Sequence, residues 1–143
     1  MDAQPTFTNY SKFNYSDIRD DNNVRVYATK TFRRFQRKER ISNATLLGAI
    51  RNANAGLIDA ELGRGLIKQR VARQGQGKSG GYRTLIAYRA NDRAVYLFGF
   101  AKNSRANIDS VTLLHWQAIA ADVLAASDAA IDNAIADGEM KEV

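Results

Sequence analysis

Two runs in the middle of the chain limit its fold more than any other feature. They are Tyr82–Arg89 (YRTLIAYR) and Ala94–Ala101 (AVYLFGFA). Both are rich in β-branched and aromatic residues, and both are apolar on successive rather than alternate positions. A strand apolar on both faces is a central strand. Ala90-Asn91-Asp92-Arg93 joins the two runs, and Asn-Asp tolerates the left-handed angles of a tight hairpin. The middle of the molecule is therefore an antiparallel pair that other elements must cover.

The flanking sequence supplies the cover. Ile67, Gln69 and Val71 alternate with Lys68, Arg70 and Ala72, which reads as a preceding strand from Ile67 to Arg73. Upstream, Val24, Val26 and Ala28 alternate with Arg25, Tyr27 and Thr29 in a first strand. A basic helix follows, with Phe32 and Phe35 inward and Arg33, Arg34, Arg37 and Lys38 outward. Ser42 or Asn43 can cap a second helix, in which Leu46, Leu47, Ile50 and Ala53 keep helical spacing until Gly56. After Asn103 the pattern turns helical again. Val111, Leu114, Ala118 and Ala121 or Asp122 form one stripe, widened by Leu113, Trp116 and Ala120. Ser127 caps a last Ala-rich helix that Gly138 ends. The order β-α-α-β-β-β-α-α predicts an α+β fold: a small antiparallel sheet, made of a three-strand meander plus an N-terminal strand, packed with two N-terminal and two C-terminal helices. Residues 1–23 are polar with scattered aromatics and no period, and read as an N-terminal extension. Residues 24–143 read as a single domain whose acidic helical segment begins near residue 110.

Charge separates along the same lines. Residues 24–105 hold 18 Lys/Arg against Glu39, Asp59, Glu61 and Asp92, a net of +14, whereas residues 106–143 come to −6 and residues 1–23 to −2. A field so concentrated attracts phosphate backbones. Cysteine is absent and there is one histidine, so a thiolate metal site, a zinc cluster and a Ser-His-Asp triad are poor readings; no metal and no cofactor are expected. His115, in TLLHWQA, reads as structural. No run approaches the 18 or more apolar residues of a membrane span, so no membrane partner and a reducing cytoplasm are the expectation.

One stretch imitates a nucleotide site. ARQGQGKSGG, residues 72–81, contains Ala-x4-Gly-Lys-Ser, a relaxed phosphate-cradling pattern. Such a loop must run from a strand into a helix, whose N-terminus supplies the donors. Here Lys78-Ser79 runs through two glycines into a strand, which makes the stretch a hairpin loop.

The basic strands offer different chemistry. Lys68 and Arg70 share a face of one strand, which Arg73 ends; Arg83 opens the next, beside the loop carrying Lys78; Lys102 and Arg105 follow the last. Arg83 shares parity with Leu85 and Ala87, so its stem leaves a largely apolar face. A guanidinium there is costly unless a carboxylate or a phosphate meets it. A groove of this kind can cut RNA without metal. The 2′-OH attacks the adjacent phosphate once its proton is removed, the pentavalent charge is neutralised and the leaving 5′-oxygen is protonated. Arginine supplies bidentate charge, neighbouring cations raise the neutral fraction of a lysine, and Tyr82 or Tyr88 can stack a splayed base. The plainer alternative is that these cations only solvate strand edges.

Residues 67–108, IKQRVARQGQGKSGGYRTLIAYRANDRAVYLFGFAKNSRANI, resemble the RelE/ParE-superfamily toxins of bacterial type II toxin–antitoxin systems, and most closely the RelE/HigB-like branch. The resemblance extends from Val24 to Val143 and leaves out residues 1–23. It implies a RelE-like, microbial-RNase-like fold and a ribosome-dependent mRNA endonuclease, held silent by a cognate antitoxin that is often a helix-turn-helix protein. The family's strand lysines correspond to Lys68 and Arg70, and its Gly-Tyr-Arg arginine to Arg83. The arginine after the fourth strand corresponds to Arg105, with Lys102 beside it. These imply Lys68, Arg70, Arg83 and Arg105 as catalytic residues, and Arg73, Lys78, Tyr82 and Lys102 as RNA contacts. The family's catalytic tyrosine falls near Asp109, where this chain has no tyrosine, so the general base is open. Two other readings remain: a ParE-like inhibitor of DNA gyrase without RNase chemistry, and a non-catalytic RNA-binding module. ParE-type proteins generally lack the phosphate-contacting set that is retained here.

Overall fold

The computed structural model describes residues 24–73, 77–101 and 109–143. The chain runs β1 (Arg25–Thr29), α1 (Lys30–Glu39), α2 (Asn43–Asn54), β2 (Ala60–Gly63), β3 (Leu66–Arg73), β4 (Gly77–Arg89), β5 (Arg93–Ala101), α3 (Ser110–Ala125), α4 (Asp128–Ala136) and β6 (Met140–Glu142). The strands form one mixed sheet in the order β2-β3-β4-β5-β1-β6. β4 and β5 stand at its centre, where their two-sided apolar sequences belong. The described residues thus make the expected α+β architecture, with two strands more than the sequence suggested.

Those two additions, β2 and β6, are the sheet's edges. They have four and three residues, too few to show an alternating pattern, and short edges give a neighbouring molecule little to pair with. The N-terminal strand departs from a purely antiparallel sheet. β1 lies parallel to β5, with Val26 opposite Ala94, and antiparallel to β6, with Ala28 opposite Lys141. A parallel pair needs a long crossover, and α1, α2, β2, β3 and β4 provide it.

Local signals set the helix ends. Thr29 caps α1 by accepting from the Phe32 N–H, and Ser42 caps α2 by accepting from Thr45. Ser127 caps α4 in the same way through Ala130. Gly56 and Gly138 follow the ends of α2 and α4 with φ of +88° and +79°. Asn91, in the β4–β5 turn, takes the left-handed conformation its sequence invites, with φ of 60°.

The sheet divides the core in two. On one face α1 and α2 set Phe32, Leu46 and Ile50 against Val26, Ile67, Val71, Ile86 and Tyr96. On the other, α3 and α4 set Ala120, Leu124 and Ile131 against Leu66, Leu85, Ala87, Val95 and Leu97. Glycine allows two close approaches. A β-carbon on Gly65 would lie 2.4 Å from the Leu124 side chain, and one on Gly99 would lie 2.4 Å from the Phe35 ring.

α3 is rotated relative to the sequence expectation. Val111 and Leu114, assigned to the inward stripe, are 76% and 63% exposed. The inward face is Leu113, Trp116, Ala120 and Leu124. The helix is apolar nearly all round, so its own periodicity cannot choose a face; contacts from the sheet choose it instead. Arg89 donates to the Leu124 carbonyl at 2.8 Å, and the buried Arg93 donates to the Val123 and Ala126 carbonyls at 2.7 and 2.8 Å. Gln117 donates to the Leu62 carbonyl at 2.5 Å. Arg93 also pairs with Asp128 at 3.0 Å. Of the acids in the C-terminal segment, Asp128 therefore meets the basic body, while Asp122, Asp132 and Asp137 are exposed.

Candidate active site

The β3–β4 register assembles the cations. Arg70 lies directly opposite Arg83, and Lys68 opposite Leu85. All three project from the α3/α4 face of the sheet, because Leu85 belongs to that core. Across β4, Arg83 faces Phe100 and Leu85 faces Phe98. A β-bulge at this point leaves Leu97 without a partner of its own, so Leu97 and Phe98 both serve the α3/α4 core. Phe98 stacks on Trp116 at 5.1 Å and on Phe100 at 6.0 Å between ring centroids. Trp116 thus closes one end of the cationic patch. Leu124, further along α3, covers the opposite end of the strands beside Gly65 and Arg89.

Arg83 is the unusual member. Its Nη1 is buried and has no hydrogen-bond partner among the described residues. A buried donor without an acceptor costs free energy, and a charged one costs more. Arg83 does rise from an apolar face, as its parity with Leu85 and Ala87 indicated.

Arg70 is held differently. Its Nε lies 3.3 Å from Asp59 Oδ1, and its backbone N–H donates to Asp59 Oδ2 at 2.5 Å. Directly opposed like charges repel, and Asp59 offsets that repulsion between Arg70 and Arg83. Asp59 is itself fixed from behind by the buried Gln69, whose Oε1 accepts the Asp59 N–H at 3.0 Å. The Gln69 Nε2 donates to the carbonyls of Ala49 and Leu57 at 3.1 and 2.9 Å. Sequence reasoning had counted Asp59 only as one of the body's scarce acids. Its clamp on Arg70 arises from the non-local β2–β3 pairing, which no local signal announces.

Tyr82 corrects an expectation. Adjacent strand residues face opposite ways, so a tyrosine next to Arg83 must sit on the α1/α2 face. It is 3% exposed there, with Phe35 edge-on at 5.3 Å and its hydroxyl donating to Glu39 at 2.8 Å. A ring so enclosed cannot stack a base. Tyr88 is on the same face and donates to the Asn54 side-chain oxygen. Phe98 and Phe100 are the aromatic residues of β5 that share a face with Arg83.

The side chains of Arg73 and Lys78, and the whole of Lys102 and Arg105, lie outside the described residues. The glycine stretch Gly77–Gly81 is part of β4, so the hairpin loop is narrower than expected and no helix begins there to cradle a nucleotide. Asp109, near the family's tyrosine position, caps α3 by accepting from the Thr112 N–H at 2.8 Å. His115 is exposed on α3, its ring 5.0 Å from that of Trp116.

Residues 24–143 match the family model described as the RelE toxin of the RelE/RelB toxin–antitoxin system. The chain belongs to the RelE toxin family. No curated protein matches it. As a RelE-family toxin it has a cognate antitoxin as its implied partner. Among the described residues, no helix is long and apolar enough to cross a membrane.

Proposed function

We propose that this RelE-family toxin is an endoribonuclease that stops translation by cutting mRNA on the ribosome in the bacterial cytoplasm, with Lys68, Arg70, Arg83 and Arg105 as its catalytic residues. The observation that carries the reading is the buried, unpartnered Nη1 of Arg83, flanked on its own face by Arg70 and Lys68.

Each residue has a task in the reaction. The substrate 2′-oxygen bonds to the adjacent phosphorus as the P–O5′ bond breaks, giving a 2′,3′-cyclic phosphate and a free 5′-hydroxyl. Negative charge builds on the non-bridging oxygens, where Arg83 supplies the two donors of a guanidinium fork. Arg70, oriented by Asp59, holds the neighbouring phosphate. Lys68 is the described side chain to which we assign proton exchange with the reacting oxygens. We assign Arg105 and Lys102, which follow β5 in the sequence, and Arg73 and Lys78 to further phosphate contacts. Phe98, half-buried on the groove face, offers the stacking surface that Tyr82 does not.

Primer extension on a reporter mRNA tests this in cells without antitoxin. Wild type is expected to create new 5′ ends within translated codons, and Arg83→Ala to create none. Growth arrest with intact mRNA would overturn the proposal and favour a gyrase-directed toxin.

A further inference from the structure

The opposite face of the sheet carries a second concentration of positive charge. A cavity of about 280 Å³ opens between α1 and β6, with Arg33, Gln36, Arg37 and Arg40 on one side and Lys141 and Val143 on the other. Arg33 and Arg37 are four residues apart, a spacing that gathers side chains along one helix face, and Arg40 follows at the end of the helix. The β1–β6 register sets Lys141 opposite Ala28, which belongs to the α1/α2 core. It sets Glu142 opposite Tyr27, which belongs to the other core. Glu142 borders the cavity through its place in the strand, yet its carboxylate is directed to the far side. The described ion pairs leave Arg33, Arg37, Arg40 and Lys141 unused.

The cavity wall is also held in shape. Gln36 donates from Nε2 to the Ile41 carbonyl at 3.0 Å and to Asn43 Oδ1 at 2.8 Å, which fixes the turn between α1 and α2. Arg40 caps α1 in the left-handed conformation, φ 57° and ψ 47°. Helices commonly place glycine or asparagine there, because other side chains adopt it at an energetic cost. An arginine at that point sets a guanidinium at the cavity mouth, and strain of this kind gathers at functional sites.

We propose that this cavity binds a phosphate of structured RNA, at a site separate from the cleavage groove; the proposal rests on the RNA-cleavage reading. Arginine-rich walls suit the bidentate recognition of phosphate oxygens. Four cations outside the described ion pairs favour a polyanion over an apolar protein partner. The groove and the cavity lie on opposite faces, so the groove takes the strand to be cut while the cavity docks the toxin on folded RNA.

The test uses the full chain carrying Arg83→Ala, so that RNA is not cut, and a fluorescein-labelled RNA hairpin followed by anisotropy over a range of salt. Adding Arg37→Ala and Lys141→Ala is expected to raise Kd about tenfold and to flatten the log–log salt slope by about 0.7 for each phosphate left without its cation. Arg40→Gly, made separately, is expected to weaken binding while Tm stays the same or rises, an outcome that misfolding cannot give. Unchanged Kd and slope would overturn the docking site and leave the groove untouched. Absence of RNA binding by the parent at any salt would also overturn the docking site, while the cleavage reading stands or falls by primer extension. Should millimolar inorganic phosphate raise Tm of the parent but not of the variant, with RNA affinity equal in the two, the site takes free phosphate and the RNA assignment falls.

Discussion

At the scale of single residues, the groove holds a charge that works against folding. Burying the Arg83 Nη1 without an acceptor costs the folded protein, so Arg83→Leu is expected to raise folding stability by about 1 kcal/mol. The same change is expected to lower cleavage by a factor of about 10² to 10³. Urea unfolding and a cleavage assay on one preparation check both; a less stable variant would mean that the guanidinium has structural partners. Gln69 behaves in the opposite way. Its amide serves three backbone groups from a buried position, so Gln69→Leu is expected to cost about 2–3 kcal/mol in the same unfolding assay. Strand parity made Arg83 legible in the sequence, because its neighbours Leu85 and Ala87 announce an apolar face. The same parity argued against Tyr82 as an RNA contact, and only the packing of Phe35 and Glu39 around its ring makes that plain. The Asp59 clamp was not legible, since it depends on a strand of four residues pairing across a turn.

Among the elements, those with strong local chemistry were legible and those fixed by distant partners were not. β4 and β5 announced themselves as central strands by apolar runs on both faces, and Ser42, Ser127, Gly56 and Gly138 marked helix boundaries. β6 could not be foreseen, because MKE has meaning only once β1 offers it an edge. α3 misled for a related reason: an all-round apolar helix contains several stripes, and the arginines of the β4–β5 hairpin decide which one turns inward. That orientation makes a prediction. Leu124→Ala removes a side chain packed over Gly65 and is expected to cost about 2–5 kcal/mol. Leu114→Ser, on the stripe the sequence had placed inside, is expected to change stability by less than about 0.5 kcal/mol. Thermal unfolding of the two variants side by side checks this, and equal losses would mean that α3 is rotated.

For the molecule as a whole, one sheet is bound to helices on both faces, and tyrosines fasten each side. Tyr96 is fully buried and donates to the Leu46 carbonyl of α2 at 2.7 Å, while Tyr88 reaches Asn54 at the end of the same helix. Tyr27 faces the α3/α4 core. Burial is the main cause raising the pKa of all three above the ordinary 10.0; for Tyr27 the Arg25 charge opposes it. The sign of the consequence follows from proton counts. Above pH ~10 the unfolded chain ionises these phenols before the folded protein does, so the folded state binds more protons and stability falls as pH rises. The contribution is fully present below the unfolded pKa, and its loss approaches ~1.4 kcal/mol per pH unit for each group that resists ionisation. Lysines also lose charge in this window and relieve repulsion in a chain of net charge +6, which blurs the wild-type curve. Tyr96→Phe isolates the effect, because both proteins share every other titration. At pH 8 the variant is expected to be less stable by ~1 kcal/mol, the worth of the hydrogen bond to Leu46. Above pH ~10 its urea midpoint is expected to fall less steeply than that of wild type, so that the two curves converge. Parallel curves across that range would mean that Tyr96 ionises in place, and that the sheet is looser against α2 than its packing indicates.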